Sequence, residues 1–264
     1  MPQDSCKIEL QSGNKDDNDQ RRHTGGHKRN PLTPEKKDSY YNFAREEIVD
    51  TIVKSGIPAK RILEIGCAGG ATGKKIRETI PVDYYAGVDI SAAAAVVAGV
   101  HLDTVITADI EKTDLHMRGL NYEDFDLLLA LDVLEHCYNP WDLLANLKRY
   151  IKPGGHIIAS IPNIQNITIV DCLIHGKWHY ENAGILDVTH IRFFTLEEII
   201  ELFSGADLHI KRVDYVLHPP IDLSKVKDSG NSLNHCNISI TNLNKDEITR
   251  FFIYQYIVTA RKEA

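Results

Sequence analysis

Apolar positions change their period several times along the chain, and each change marks an element. Tyr40, Phe43, Ala44, Ile48 and Ile52 recur at i, i+3, i+4 spacings, which predicts a helix ending near Ser55-Gly56-Ile57-Pro58. RILEI then reads as a strand, followed by a helix over 72–79. YYAGVDI is a second strand with a helix over 92–99 behind it, and TVITADI is a third. FDLLLAL, apolar throughout and bounded by acids, fits a strand covered on both faces. A helix over 141–150 runs into IKPGG, a Pro-Gly turn that delivers the strand HIIASIP. Thr195 stands as N-cap of LEEIIELF, with Glu198 at capping-box spacing, and HIKRVDYV and FFIYQYIVTA are further strands. The alternation predicts an α/β fold with a Rossmann-like, doubly wound, mostly parallel sheet.

Two stretches depart from it. Residues 1–36, including QSGNKDDNDQRRHTGGHKRNP, hold too few apolar side chains to offset their ordering entropy. They are expected to form a disordered or ligand-ordered tail ahead of one domain over 37–264. Residues 163–194 are too long for a simple βα connection and rich in Asn, His and aromatics, so they are expected to cap a substrate.

The bulk numbers narrow the partners. A chain of 264 residues suffices for one large domain. A net charge of −7 argues against nucleic acid and anionic membrane as partners and leaves a small molecule, with a homodimer compatible. No apolar run is long enough to span a bilayer, and Cys6, Cys67, Cys137, Cys172 and Cys236 are scattered without paired spacing. Reduced thiols in a cytoplasmic protein are expected.

Chemistry gathers at the strand ends. In ILEIGCAGGATGKKI the first strand ends on Glu64, and Gly66, Gly69, Gly70 and Gly73 follow before the next helix. Such a turn lets a ligand approach backbone N–H groups. Asp89 ends the second strand, about twenty residues beyond the glycines, where a carboxylate can accept both ribose hydroxyls. Asp109 ends the third, placed for an exocyclic amine with Ile110 against the adenine face. Three acids in register argue for a nucleoside ligand. A dinucleotide fingerprint would need glycine at 68 and 71, and both are alanine.

Together, LEIGCAGG, GVDIS, ADI, FDLLLALDVLEH, IKPGGHIIASIPN and DVTHIRFFT resemble class I S-adenosylmethionine-dependent methyltransferases, in the methyltransferase family 23 and ubiquinone-biosynthesis-like branch, over about residues 40–210. The resemblance implies a seven-stranded sheet with an antiparallel last strand. It implies S-adenosylmethionine as cofactor and S-adenosylhomocysteine as product. Glu64 would hold the methionine amino group, Gly66, Cys67, Ala68 and Gly70 would wrap the methionine portion, and Asp89 with Ile90 would bind the ribose. Asp109 and Ile110 would face adenine, and Leu131 and Asp132 would lie near the transferable methyl. Ala68 stands where the family has its middle glycine, which suits a negative φ there. Arg45 and Arg192 are candidate anion anchors, and Tyr40 and Tyr41 a candidate lid over the cofactor.

LDVLEH places Asp132, Glu135 and His136 at i, i+3, i+4, on one face if the turn is helical. The resemblance extends to ubiquinone O-methyltransferases and small-RNA ribose methyltransferases, in which an acid-x-x-Glu-His segment holds a divalent metal, the RNA enzymes adding a later histidine. By that likeness Asp132, Glu135, His136 and His190 would be the ligands here. Without a metal, His136 or His190, with His179 behind them, is the natural general base. The reading is methyl transfer to a hydroxyl or amine of a small molecule in natural-product, sugar or quinone-type metabolism. An RNA 3′-end ribose methyltransferase, a peptide or protein methyltransferase and a non-catalytic cofactor-binding partner stay open. If the tail carries no core, deleting residues 1–36 should leave Tm within about 2 °C. A larger fall in a thermal melt would mean that the tail packs on the domain.

Overall fold

The computed structural model describes residues 43–263, so the predicted tail, Tyr40 and Tyr41 lie outside the described residues. The first helix among the described residues, α1 (Glu46–Ser55), begins at Glu46. Glu46 and Glu47 fill its first turn, where carboxylates complement the helix dipole, and Gly56 at φ 60° ends it. Phe43 to Arg45 lie ahead of the helix, outside any regular element. The alternation continues as β1 (Arg61–Ile65), α2 (Ala71–Thr79), β2 (Tyr84–Asp89), α3 (Ala92–Ala98), β3 (Thr104–Thr107), β4 (Phe125–Leu131), α4 (Pro140–Leu147) and β5 (Ile151–Pro162).

After β5 comes a short helix, α5 (Ile167–Ile174), within the long connection. Then follow α6 (Leu196–Gly205), β6 (Leu208–Leu217), β7 (Asn231–His235), β8 (Ile238–Leu243), α7 (Lys245–Phe252) and β9 (Ile253–Lys262). The capping box of α6 forms, with Glu198 accepting the Thr195 N–H at 3.2 Å. Seven strands make the main sheet in the order β3-β2-β1-β4-β5-β9-β6. β9 pairs antiparallel with both β5 and β6, so the last strand is the reversed one.

β4 is the dry centre. Leu127, Leu128, Leu129 and Ala130 are all fully buried, and they alternate between the two faces. Leu128 and Ala130 join the core under α6 with Ile199 and Phe203, whereas Leu127 and Leu129 join Ile48 and Ile52 of α1. The cap connection is clamped at its root. Asn163 bridges Phe194, and Asn166 Nδ2 donates to the Ile253 carbonyl at 3.0 Å.

The β7–β8 hairpin and α7 were not legible in the sequence. Of the hairpin residues, Leu233 and Ile238 alone are buried, too few to make an apolar period. Gly73, inside α2, sets two effects against each other. Alanine would gain about 1 kcal/mol of helix propensity, but its Cβ would lie 2.5 Å from Leu102 Cδ2 and 3.0 Å from the Tyr85 ring. Overpacking of this kind costs about 1–3 kcal/mol, so packing wins. Urea denaturation of Gly73→Ala should show a net loss of about 1 kcal/mol; a gain would mean that the Tyr85 wall yields.

Candidate active site

A cleft of about 390 Å³ opens at the carboxyl ends of β1 and β4, where the strand order reverses. It brings together Arg45, Glu64, Gly66, Cys67, Ala68, Leu131 and Asp132, with Phe43, Ala71 and Thr72 completing the wall. The turn after β1 is left-handed three times, at Gly66 (φ 72°), Ala68 (φ 47°) and Gly70 (φ 76°). A Cβ on Gly66 would meet Val133 Cγ2 at 2.6 Å, and one on Gly70 would meet Ala98 Cα at 3.0 Å. Both glycines are required by space as well as by φ. Ala68 departs from the negative φ that its methyl favours. Its N–H donates to Asp89 Oδ2 at 2.8 Å while Ser91 N–H donates to Oδ1 at 2.8 Å, so one carboxylate pins the strained turn to β2.

Glu64 is buried, and the Tyr85 hydroxyl donates to its Oε2 at 2.9 Å. Burial pushes its carboxyl up to about 8; the Tyr85 bond works against this rise and neighbouring Asp89 adds to it. Burial likewise raises the Cys67 thiol, leaving it inert near neutral pH. Across the cleft, Asp132 is held at φ 54°. Its carboxylate accepts from Arg45, from Gln255 Nε2 and from Ser160 Oγ (2.9 Å), and Arg45 Nη2 reaches Gln255 Oε1 at 3.1 Å.

Beyond Asp132 the turn is a short 3₁₀ segment, Leu134–His136, and Asp132 stands outside it. The expected shared face of Asp132, Glu135 and His136 does not form, because the left-handed kink and the Arg45 network turn the Asp132 carboxylate away. Instead Glu135, His136 and His190 each present a donor atom within 4.8 Å of the other two. His190 Nε2 lies 3.9 Å from Glu135 Oε1, and the two imidazole rings meet edge to face at 4.6 Å. His136 Nδ1–H donates to the Thr189 carbonyl at 3.1 Å and His190 Nδ1–H to the Ile185 carbonyl at 2.9 Å. A carbonyl accepts only, so in the neutral ring each Nε2 is the basic nitrogen. The Glu135 carbonyl takes the N–H groups of Ile191 and Arg192, both at 3.0 Å, which stitches residues 185–192 to the β4 turn. These residues could hold a divalent cation as an N₂O set; Asp132 is not among them.

Other expected residues lie elsewhere. Asp109 has its oxygens engaged by its own loop, accepting Glu111 N–H at 3.1 Å and Lys112 Nζ at 2.6 Å. Ile110 lines a second cavity of about 400 Å³, beside Asn139 and Asp142. Ile90 is exposed, and Arg192 is bound to the Tyr138 carbonyl rather than aimed at the cleft. Sequence reasoning missed Tyr85, Ser160 and Gln255. Ser160 and Gln255 gave a partial signal, as polar residues within the mainly apolar stretches IIASIP and IYQYIV, whereas Tyr85, next to Tyr84, gave none.

The profile of the family described as Methyltransferase domain matches residues 37–213. The chain belongs to that family. It is an S-adenosylmethionine-dependent methyltransferase. Among its relatives is the ubiquinone biosynthesis O-methyltransferase of Photobacterium profundum, 30% identical over 173 residues, covering 63% of this chain and 71% of the relative. The enzyme of that name from Hahella chejuensis is 28% identical over 182 residues, covering 68% of this chain and 75% of the relative. A possible histamine N-methyltransferase from Thermotoga maritima shares the fold at 20% identity, with a TM-score of 0.55 over 84% of this chain and 91% of that one. So does the Burkholderia thailandensis 1,6-didemethyltoxoflavin-N1-methyltransferase with bound S-adenosylhomocysteine, at 17% identity and a TM-score of 0.53, over 86% and 82%.

Glu64 makes the stability of this methyltransferase depend on pH. Its folded carboxyl ionises near 8 and its ordinary value is 4.5. Below 4.5 both states are protonated and nothing is lost. As pH rises toward 8 the unfolded chain ionises first, so this contribution to stability falls. Against Glu64→Gln, the wild type should lose on the order of a few kcal/mol between pH 5 and 8 in urea titrations. Parallel curves for the two proteins would mean that Glu64 is ionised in the free fold.

Proposed function

We propose that this methyltransferase acts on a hydroxyl of a small molecule, such as a phenol or sugar of natural-product or quinone-type metabolism, beneath a cap formed by residues 163–194. The observation that carries the reading is the imidazole pair, His136 and His190, tethered through Nδ1 to cap carbonyls directly after the β4 end of the cleft. An amine acceptor can attack through its own lone pair. A hydroxyl needs its proton removed, and two oriented Nε2 atoms serve that need. The relatives named ubiquinone biosynthesis O-methyltransferase support the hydroxyl over the amine.

S-adenosylmethionine supplies a sulfonium-bound methyl that is displaced in line, its bonding electron pair leaving with sulfur. The chain's own residues would bind, orient and deprotonate. Glu64 would receive the methionine ammonium and would have to ionise to do so, the backbone of 66–70 would wrap the methionine portion, and Asp89 would accept from the ribose hydroxyls alongside the two amides it already holds. Asp109 reaches an adenine amine only by giving up Lys112, an exposed pair that solvent keeps weak. His136 takes the acceptor's proton while Asp132, fixed by Arg45, Ser160 and Gln255, walls the methyl end. Asp89→Ala should weaken cofactor binding by about 2–4 kcal/mol in calorimetry; unchanged affinity would remove Asp89 from the site.

A second reading is favoured by the convergence of Glu135, His136 and His190. These three would hold a divalent cation, whose charge would lower the acceptor hydroxyl's pKa. Activity with and without EDTA, followed by His136→Ala and His190→Ala, separates the two. Under the base reading EDTA changes nothing and one histidine variant loses about 10²–10⁴ in rate together with the acidic limb of the pH profile. Loss with EDTA and recovery with one ion would establish the metal. Full activity throughout would sink both.

A further inference from the structure

Away from the cleft, the cap helix and the β7–β8 hairpin meet in a second group of donors. Asp171 on α5 and His235 and Cys236 at the hairpin tip each present one ligand atom within 4.8 Å of the other two. The pairing of His235 with Ile238 leaves Cys236-Asn237 as a two-residue turn. Cys236 sits there at φ 49°, a left-handed position that such turns normally fill with Gly or Asn. Asp171 has a buried Oδ1 that makes no hydrogen bond among the described residues. The nearest cationic donor, His175 Nδ1, stands 3.4 Å from that oxygen and donates instead to the Asp171 carbonyl at 2.8 Å. A buried carboxylate oxygen of this kind calls for a positive partner.

We propose that Asp171, His235 and Cys236 hold a zinc-class divalent cation that clips the hairpin to the cap helix. One oxygen, one imidazole nitrogen and one thiol sulfur form a borderline-soft set suited to Zn²⁺, whereas Mg²⁺ and Ca²⁺ take oxygen ligands. Coordination takes Cys236 as thiolate, its proton passing to solvent, and leaves a fourth position for water. His175 acts through Asp171 as a positioning residue. The site differs from the Glu135–His136–His190 group by its sulfur, and it stands whatever the acceptor and the base prove to be. Because the root of α5 is tied at Asn166 to β9, a metal here would stiffen the cap from its outer end.

Cobalt substitution of the full chain tests the site, since a thiolate ligand gives Co²⁺ a sulfur-to-metal charge-transfer absorption. One equivalent of Co²⁺ per chain should produce that band, and Zn²⁺ should displace it. Cys236→Ser should abolish it, Asp171→Asn should weaken binding about a hundredfold, and His175→Ala about tenfold. His136→Ala should leave the band unchanged. Absence of the band, its survival in Cys236→Ser, or its loss in His136→Ala or Cys172→Ser would overturn the proposal.

Discussion

The reversal of strand order between β1 and β4 is the constraint on which the molecule turns. Parallel strands need crossover helices, and crossovers leaving a central pair on opposite sides open a crevice at the strands' carboxyl ends. Glu64 at the end of β1 and Asp132 just past β4 therefore face one cleft although 68 positions part them. The dryness that stabilises the sheet also sets the chemistry. Leu63 and Ile65, neighbours of Glu64, are buried, and the same burial holds its carboxyl up near 8.

Two carboxylates spend their hydrogen bonds on shape. Asp89 fastens the left-handed Ala68 turn, and Asp132, itself left-handed, gathers Arg45, Ser160 and Gln255. Non-glycine residues in that backbone region persist only where their surroundings over-determine them. Ala68 and Asp132 both stand on the cleft wall, where a rigid backbone is useful to a ligand. The antiparallel entry of β9 completes the arrangement, since it delivers Gln255 from the far end of the chain to Asp132.

Residues 185–192 are joined to the turn after β4 by backbone. Glu135 sets its carboxylate 3.9 Å from His190 Nε2 and, through its carbonyl, accepts from the N–H groups of Ile191 and Arg192. Any movement of residues 185–192 thus reaches His136 through Thr189 and His190 through Ile185.

Much of this was legible beforehand. The strands RILEI, FDLLLAL and HIIASIP, the Gly66–Gly70 turn and the Thr195 capping box follow from period and turn chemistry, which are local properties that neighbouring residues impose, whereas the reversed last strand was implied by the family resemblance. Glu64 and Asp132 line the cleft from the ends of β1 and β4 and Ala68 from the turn after β1, whereas Arg45 enters it from the segment ahead of α1. Tertiary structure decided what depends on partners distant in sequence. It placed Tyr85 on Glu64, turned Asp132 toward Arg45 and away from the histidines, and engaged Asp109 within its own loop. It also formed a hairpin too polar to show a period and brought its tip to Asp171. A side chain's type is written at its own position, but its ionisation, its orientation and its partners are set by whatever the fold packs against it.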